Sequence, residues 1–161
     1  MPSDRNWFES PTEGRLDIDE MFRSILAYVE QDPEQAYQLI VGSDSHTRHE
    51  TYFVTAVVIH RMGKGARYYF SRSRHRAIRS LRQKVLFETS LSLQVAARLT
   101  ELLEASKVAD LDVEIHVDVG QQGETRTLIR EIVGMVTGSG YRARIKPDSF
   151  GASSVADKFT K

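Results

Sequence analysis

Four acidic residues stand where packing alone gives little reason for a charge: Asp44, Glu88, Asp118 and Asp157. Asp44 closes the apolar run Leu39, Ile40, Val41 in the stretch "QLIVGSDSHTRH", just after Gly42, which leaves room for close approach or marks a bulge. Glu88 falls on an apolar helical stripe with Leu81, Val85, Val95 and Leu99. A lone buried carboxylate is costly unless it is paired or metal-bound. This turn of the helix, with the small polar Ser92 one turn on, is therefore expected to face something polar. The alternative is a Glu88 at the stripe edge that reaches water. Asp118, in "HVDVG", alternates with His116, Glu114 and Asp112 on one strand face, and a half-exposed edge strand would show the same pattern. The glycine after it marks a loop at the C-terminal end of a strand, where sites in α/β sheets gather. Asp157 lies in "KPDSFGASSVADKFTK", where Gly151, Ala152, Ser153, Ser154 and Ala156 permit close backbone approach; an acid on a short terminal helix is otherwise simply exposed.

Oxygen donors of this kind suit hard divalent ions such as Mg²⁺ or Mn²⁺. Two such ions roughly 4 Å apart can activate a water and stabilise the leaving oxygen in phosphodiester cleavage. Clustered carboxylates repel one another until a cation offsets the charge, so the site is expected to be destabilised without metal.

Other chemistries are less well served. His46 and His49 have a spacing that binds transition metals on a helix, but here they sit in a hairpin approach with no cysteine to help. His46 near Asp44, and His116 on the face of Asp118, are candidates to orient a water or a phosphate. Ser43, Ser45 and Thr125 have no base at nucleophile spacing, and "GQQGETR" lacks the Gly-Lys-Ser/Thr of a phosphate loop.

Charge is balanced overall, with 22 basic and 22 acidic residues, but it is unevenly spread. Arg61, Lys64, Arg67, Arg72, Arg74, Arg76, Arg79, Arg82 and Lys84 follow one another with no acid between them. Such a block can contact a phosphate backbone where global charge does not, although a solvated face would read the same. Tyr68, Tyr69 and Phe70 lie among these arginines and could stack on bases, or form strand core.

The elements that must position these groups can be read from periodicity. Residues 1–15 are polar, contain Pro2, Pro11 and Gly14, and read as an irregular arm on which Trp7 and Phe8 could still dock. An N-terminal helix over 17–31 starts at Asp17, with Glu20 completing a capping box, and Asp32-Pro33 ends it. Strands are expected at Gln38–Asp44, Thr51–Arg61 and Arg67–Ser71, the last two forming a hairpin about Gly63-Lys64-Gly65. A long helix follows over Ala77–Ser106, then a strand in "DLDVEIHVDVG", a helix over Glu124–Thr137 and a strand in "YRARIKP". A short C-terminal helix is expected in "ASSVADKFTK", capped by Ser153 or Ser154. Strands joined by hairpins run antiparallel and those joined through helices run parallel. The expected fold is a single α/β domain over 1–161: a mixed five-stranded sheet flanked by helices.

With 161 residues the chain is long enough for one core. The absence of cysteine excludes a disulfide scaffold and suits a reducing compartment. The N-terminus has no apolar leader and no run reaches the roughly 18 residues of a membrane span, so a cytoplasmic location is expected.

The order of elements and the placement of the acids resemble the ribonuclease H fold. The phrases "VGSDSH", "HVDVG" and "KPDSFGASSVADKFTK" more narrowly resemble the YkuK-type ribonuclease H-like family of bacteria. The resemblance covers about Leu39 to Lys161. It implies an Asp on the first core strand (Asp44), a Glu on the first core helix (Glu88), an Asp ending the fourth strand (Asp118) and an Asp on the last helix (Asp157). It further implies a metal-dependent nuclease-like site, without a substrate. The function expected on that basis is hydrolysis of a phosphodiester bond in RNA or DNA by a two-metal mechanism, with Asp44 bridging both ions, Glu88 and Asp118 holding one and Asp157 the other. The alternative is a catalytically silent module of the same fold that binds nucleic acid or protein.

Overall fold

The computed structural model describes residues 7–106 and 111–146. Two short strands, β1 (Phe8–Ser10) and β2 (Gly14–Leu16), precede helix α1 (Ile18–Gln31). Three long strands follow: β3 (Tyr37–Thr47), β4 (Glu50–Arg61) and β5 (Gly65–Arg76). Helix α2 (Leu81–Ser106), strand β6 (Val113–Gly120), a 3-10 turn (Glu124–Leu128), helix α3 (Ile129–Gly138) and strand β7 (Arg142–Lys146) complete the described chain. The sheet order is β2-β1-β5-β4-β3-β6-β7, with β3, β6 and β7 parallel and the remaining pairs antiparallel.

Among the described residues the sheet has seven strands rather than the expected five. The two extra strands come from the segment expected to be irregular. Pro11 sits in the turn between them, Phe8 pairs with Leu16, and Glu9 pairs with Phe70 on the edge of β5. Phe8 is fully buried, so its docking on the core holds the hairpin in place against its polar composition. The terminal helix expected in "ASSVADKFTK", and Asp157 with it, lies outside the described residues.

Local chemistry explains the rest. Asp17 caps α1 through a complete capping box: its Oδ1 accepts from Glu20 N at 2.8 Å, and Glu20 Oε1 accepts from Asp17 N at 3.0 Å. The β4–β5 turn needs the left-handed backbone of Gly63 (φ 76) and Gly65 (φ 109). β5 runs on through "RSRHR" to Arg76, because alternating arginines leave one strand face solvated while the backbone keeps its partners on β4.

Helices α1, α2 and α3 pack against the sheet face that carries Leu39, Val41, Val57, Ile59, Ile115 and Val117. The opposite face carries a smaller cluster of Ile40, Val54, Ala56, Val58 and Phe70. The start of α2 is tied to the β3–β4 hairpin. Fully buried Thr51 accepts from Ile78 N at 2.7 Å, and Thr47 Oγ1 donates to Ile78 O at 3.0 Å. That link sets the height of α2 over β3, and hence of Glu88.

Candidate metal centre

β3 pairs with β6 in parallel only as far as Gly42 opposite His116. Asp44 and Asp118 each lie two residues further on, at the C-terminal ends of adjacent parallel strands. The β3–β6 pairing stops just before them, and α2 packs against both strands. Ser43 and Ser45 point to the helix side: Ser43 Oγ is 2.7 Å from Ser92 Oγ, and Ser45 Oγ donates to Glu88 Oε2 at 2.5 Å. Small hydroxyl side chains on both surfaces let α2 come close, so Glu88 reaches the strand ends. One carboxylate oxygen from each of Asp44, Glu88 and Asp118 lies within 4.8 Å of the others.

Glu88 is only 7% exposed, and Asp44 and Asp118 are partly buried. The stripe-edge alternative for Glu88 therefore does not hold. Burial, with smaller contributions from the charges of Asp44 and Asp118, holds its carboxyl up at about 8 against the lowering pull of the Ser45 hydrogen bond. A cation is already present: Lys146 at the end of β7 places Nζ 2.6 Å from Asp118 Oδ1. That hydrogen bond is the main reason the Lys146 ammonium titrates above its ordinary range, with the charges of Asp118, Asp44 and Glu88 also contributing. Three carboxylates in this arrangement are an oxygen donor set that could hold a divalent cation, for which the Lys146 ammonium would be a competitor on Asp118.

The auxiliary histidines separate. His46 is exposed on β3, one strand row beyond Asp44. His116 is buried, with Nε2 2.8 Å from Glu114 Oε1, and burial lowers its pKa. Glu114 also accepts from Gln38 Nε2 at 2.9 Å and from Arg144 Nε at 3.3 Å. His116 thus belongs to a polar cluster behind the acids.

The basic block divides as well. Arg61, Lys64 and Arg67 lie at the β4–β5 turn, the far end of the hairpin from Asp44. The Arg61 guanidinium lies 4.1 Å from the Tyr28 ring centre and donates to Tyr37 Oη at 2.9 Å and to Tyr28 O at 2.8 Å. The Arg67 guanidinium lies 5.0 Å from the same ring. Arg82 pairs with Glu131 at 2.6 Å. Arg72, Arg74 and Arg76 are exposed on the half of β5 that runs alongside Asp44 and His46. Tyr69 is fully buried and Phe70 is core, whereas Tyr68 packs only partly buried against it.

Sequence reasoning passed over Lys146 as a participant and treated Ser45 only as a failed nucleophile. Neither could be found from local pattern: Lys146 reaches Asp118 through the β6–β7 pairing, in which Gly120 stands opposite Lys146. The glycine after "HVDV" was the one available signal. A Cβ at Gly120 would lie 3.1 Å from Lys146 Cβ, so glycine there lets the lysine sit over the site.

The model of the family described as Ribonuclease H-like matches residues 20–161. An "Uncharacterized protein YkuK" of Bacillus subtilis (strain 168) is 38% identical over 168 aligned positions, covering 96% of each chain. No solved structure gives a significant match.

Proposed function

The chain belongs to the ribonuclease H-like family, and on that footing we propose that it is a metal-dependent nuclease that hydrolyses phosphodiester bonds in RNA or DNA. The observation that carries this reading is the convergence of Asp44, Glu88 and Asp118 oxygens within 4.8 Å, where two adjacent parallel strands stop pairing beneath the side of one helix. Those residues would hold Mg²⁺ or Mn²⁺, with Asp44 shared between two ions and Asp157 joining as a fourth ligand on the strength of its sequence position. Bound metal would supply an activated water and stabilise charge on the leaving oxygen. The chain's own part is to orient and to neutralise. Ser45 holds Glu88 by a hydrogen bond, and the hydroxyl pair Ser43–Ser92 ties the helix closely to β3. Lys146 neutralises and positions Asp118 while no divalent ion is bound.

The rival reading, a binding module without catalysis, draws on the same lysine: an ammonium that stays on Asp118 would leave the acids already compensated. Thermal melting separates the two. Mg²⁺ or Mn²⁺ at about 100 times its dissociation constant stabilises by about 2.7 kcal/mol, which is roughly 5–10 °C for a chain of this size. Asp44→Asn should abolish that rise. Hydrolysis of hybrid, single-stranded or branched oligonucleotides should then disappear in both Asp44→Asn and Asp118→Asn. No melting shift with either ion would refute the metal site.

A further inference from the structure

Cross-strand partners share a sheet face, and the register places two rows side by side. Asp44 is opposite Val54, which is opposite Arg72; His46 is opposite Tyr52, which is opposite Arg74. The next row pairs Glu50 with Arg76. His46, Tyr52, Arg72, Arg74 and Arg76 therefore share a sheet face with the Asp44 position, opposite the face on which α2 packs, while the Asp44 carboxylate at the gap between β3 and β6 also comes within 4.8 Å of Glu88 on α2. Tyr52 is 38% exposed, and besides Met62 it is the only exposed large apolar side chain among the described residues. It sits between a histidine and an arginine, with its ring open on the sheet surface.

We infer that this surface is a track for a single strand of nucleic acid, with one unpaired base stacked on Tyr52 and successive phosphates on Arg72, Arg74 and Arg76, leading to the carboxylates. The inference deepens the nuclease reading, and rests on it only for the direction of the track towards Asp44. Alternate residues of a strand are about 6.8 Å apart. That is twice the rise of about 3.4 Å per nucleotide in a stacked strand, so one phosphate per arginine requires an extended, unstacked backbone. Adjacent strands are about 4.8 Å apart, which puts the arginine column roughly 10 Å from the backbone of Asp44. A duplex keeps its base faces stacked inside and offers only phosphates, whereas an unpaired base can use an exposed ring flanked by cations. Glu50 neutralises Arg74 at 3.1 Å, but this pair is exposed on both sides and weak enough to yield to a phosphate.

The test is fluorescence anisotropy of the full chain with a labelled 12-nucleotide single strand and with the duplex of the same sequence, both in EDTA so that nothing is cleaved. The single strand should bind more tightly than the duplex. Tyr52→Ala should weaken single-strand binding about tenfold, with Tyr52→Phe close to wild type. The triple change Arg72→Ala, Arg74→Ala, Arg76→Ala should weaken it further and flatten the logarithmic salt slope by about 2. Lys64→Ala, at the far end of the hairpin, should change nothing, and melting curves should show all variants folded. The inference is overturned if the wild type does not bind, if the duplex binds as tightly, or if Tyr52→Ala behaves like wild type. Because no divalent ion is present, these outcomes are independent of the melting shift that tests the metal site.

Discussion

Lys146 Nζ and Asp118 Oδ1 are 2.6 Å apart, so the acidic centre carries its own cation at the end of the neighbouring parallel strand. The lysine side chain is 57% exposed, which screens the pair and keeps its worth modest. Its position still matters, since a divalent ion held by the proposed site would compete with the ammonium for the same oxygen.

Lys146→Met is therefore predicted to have opposite effects in two buffers. In EDTA the variant should melt below wild type, because three carboxyl groups lose their counter-charge. With Mn²⁺ the rise in melting temperature should exceed that of wild type, and calorimetry should show affinity tighter by about two- to fivefold, a modest gain in keeping with a screened pair. Equal or weaker Mn²⁺ affinity in the variant would show that the lysine does not compete.

Glu88 makes stability and metal binding depend on pH in opposite directions. Its folded value of about 8 lies above the ordinary 4.5, so the folded state holds a proton that the unfolded state has lost. Stability without metal should fall as pH rises from about 4.5 to about 8 and level off above that. Metal needs the ionised carboxylate, so affinity should climb over the upper part of that range, with proton release visible in buffers of different ionisation enthalpy. Glu88→Gln should flatten the melting profile in EDTA, raise the melting temperature at pH 9 by at least about 2 °C, and lose the metal response.

Arg61 is predicted to be structural. Its guanidinium covers the Tyr28 ring and bonds Tyr37 Oη and Tyr28 O, joining the hairpin end to α1. Arg61→Ala should lower the melting temperature while leaving oligonucleotide anisotropy per folded molecule unchanged. A loss of binding without a loss of stability would return Arg61 to the nucleic-acid surface.

Thr51→Val should cost about 1–2 kcal/mol, because Ile78 N–H loses its acceptor in a partly buried link. The link also sets the height of α2. The expected signature is a lower melting temperature together with weaker Mn²⁺ binding, restored in part by Thr51→Ser.

Much of this was legible in the chain itself, because period and capping are local properties. Asp17 and Glu20 announced the start of α1, and the alternation from Val113 to Val119 announced β6. The identities of Asp44, Glu88 and Asp118 as misplaced charges needed only the apolar positions around them. The hairpin of Phe8 and Leu16 escaped notice because three-residue strands have no measurable period and are held by burial instead.

What tertiary structure alone decided is which charges meet. Nine basic residues adjacent in sequence are not a patch in space. A strand advances about 3.4 Å per residue, so Arg61 and Arg67 end beside Tyr28 while Arg72, Arg74 and Arg76 end beside Asp44's row, at opposite ends of one hairpin. Conversely, Asp44, Glu88, Asp118 and Lys146 span over a hundred residues of chain, and they converge because β3, β6 and β7 run parallel and finish at the same edge. Residue type and spacing select the candidates; strand direction and register, which depend on non-local pairing, choose among them.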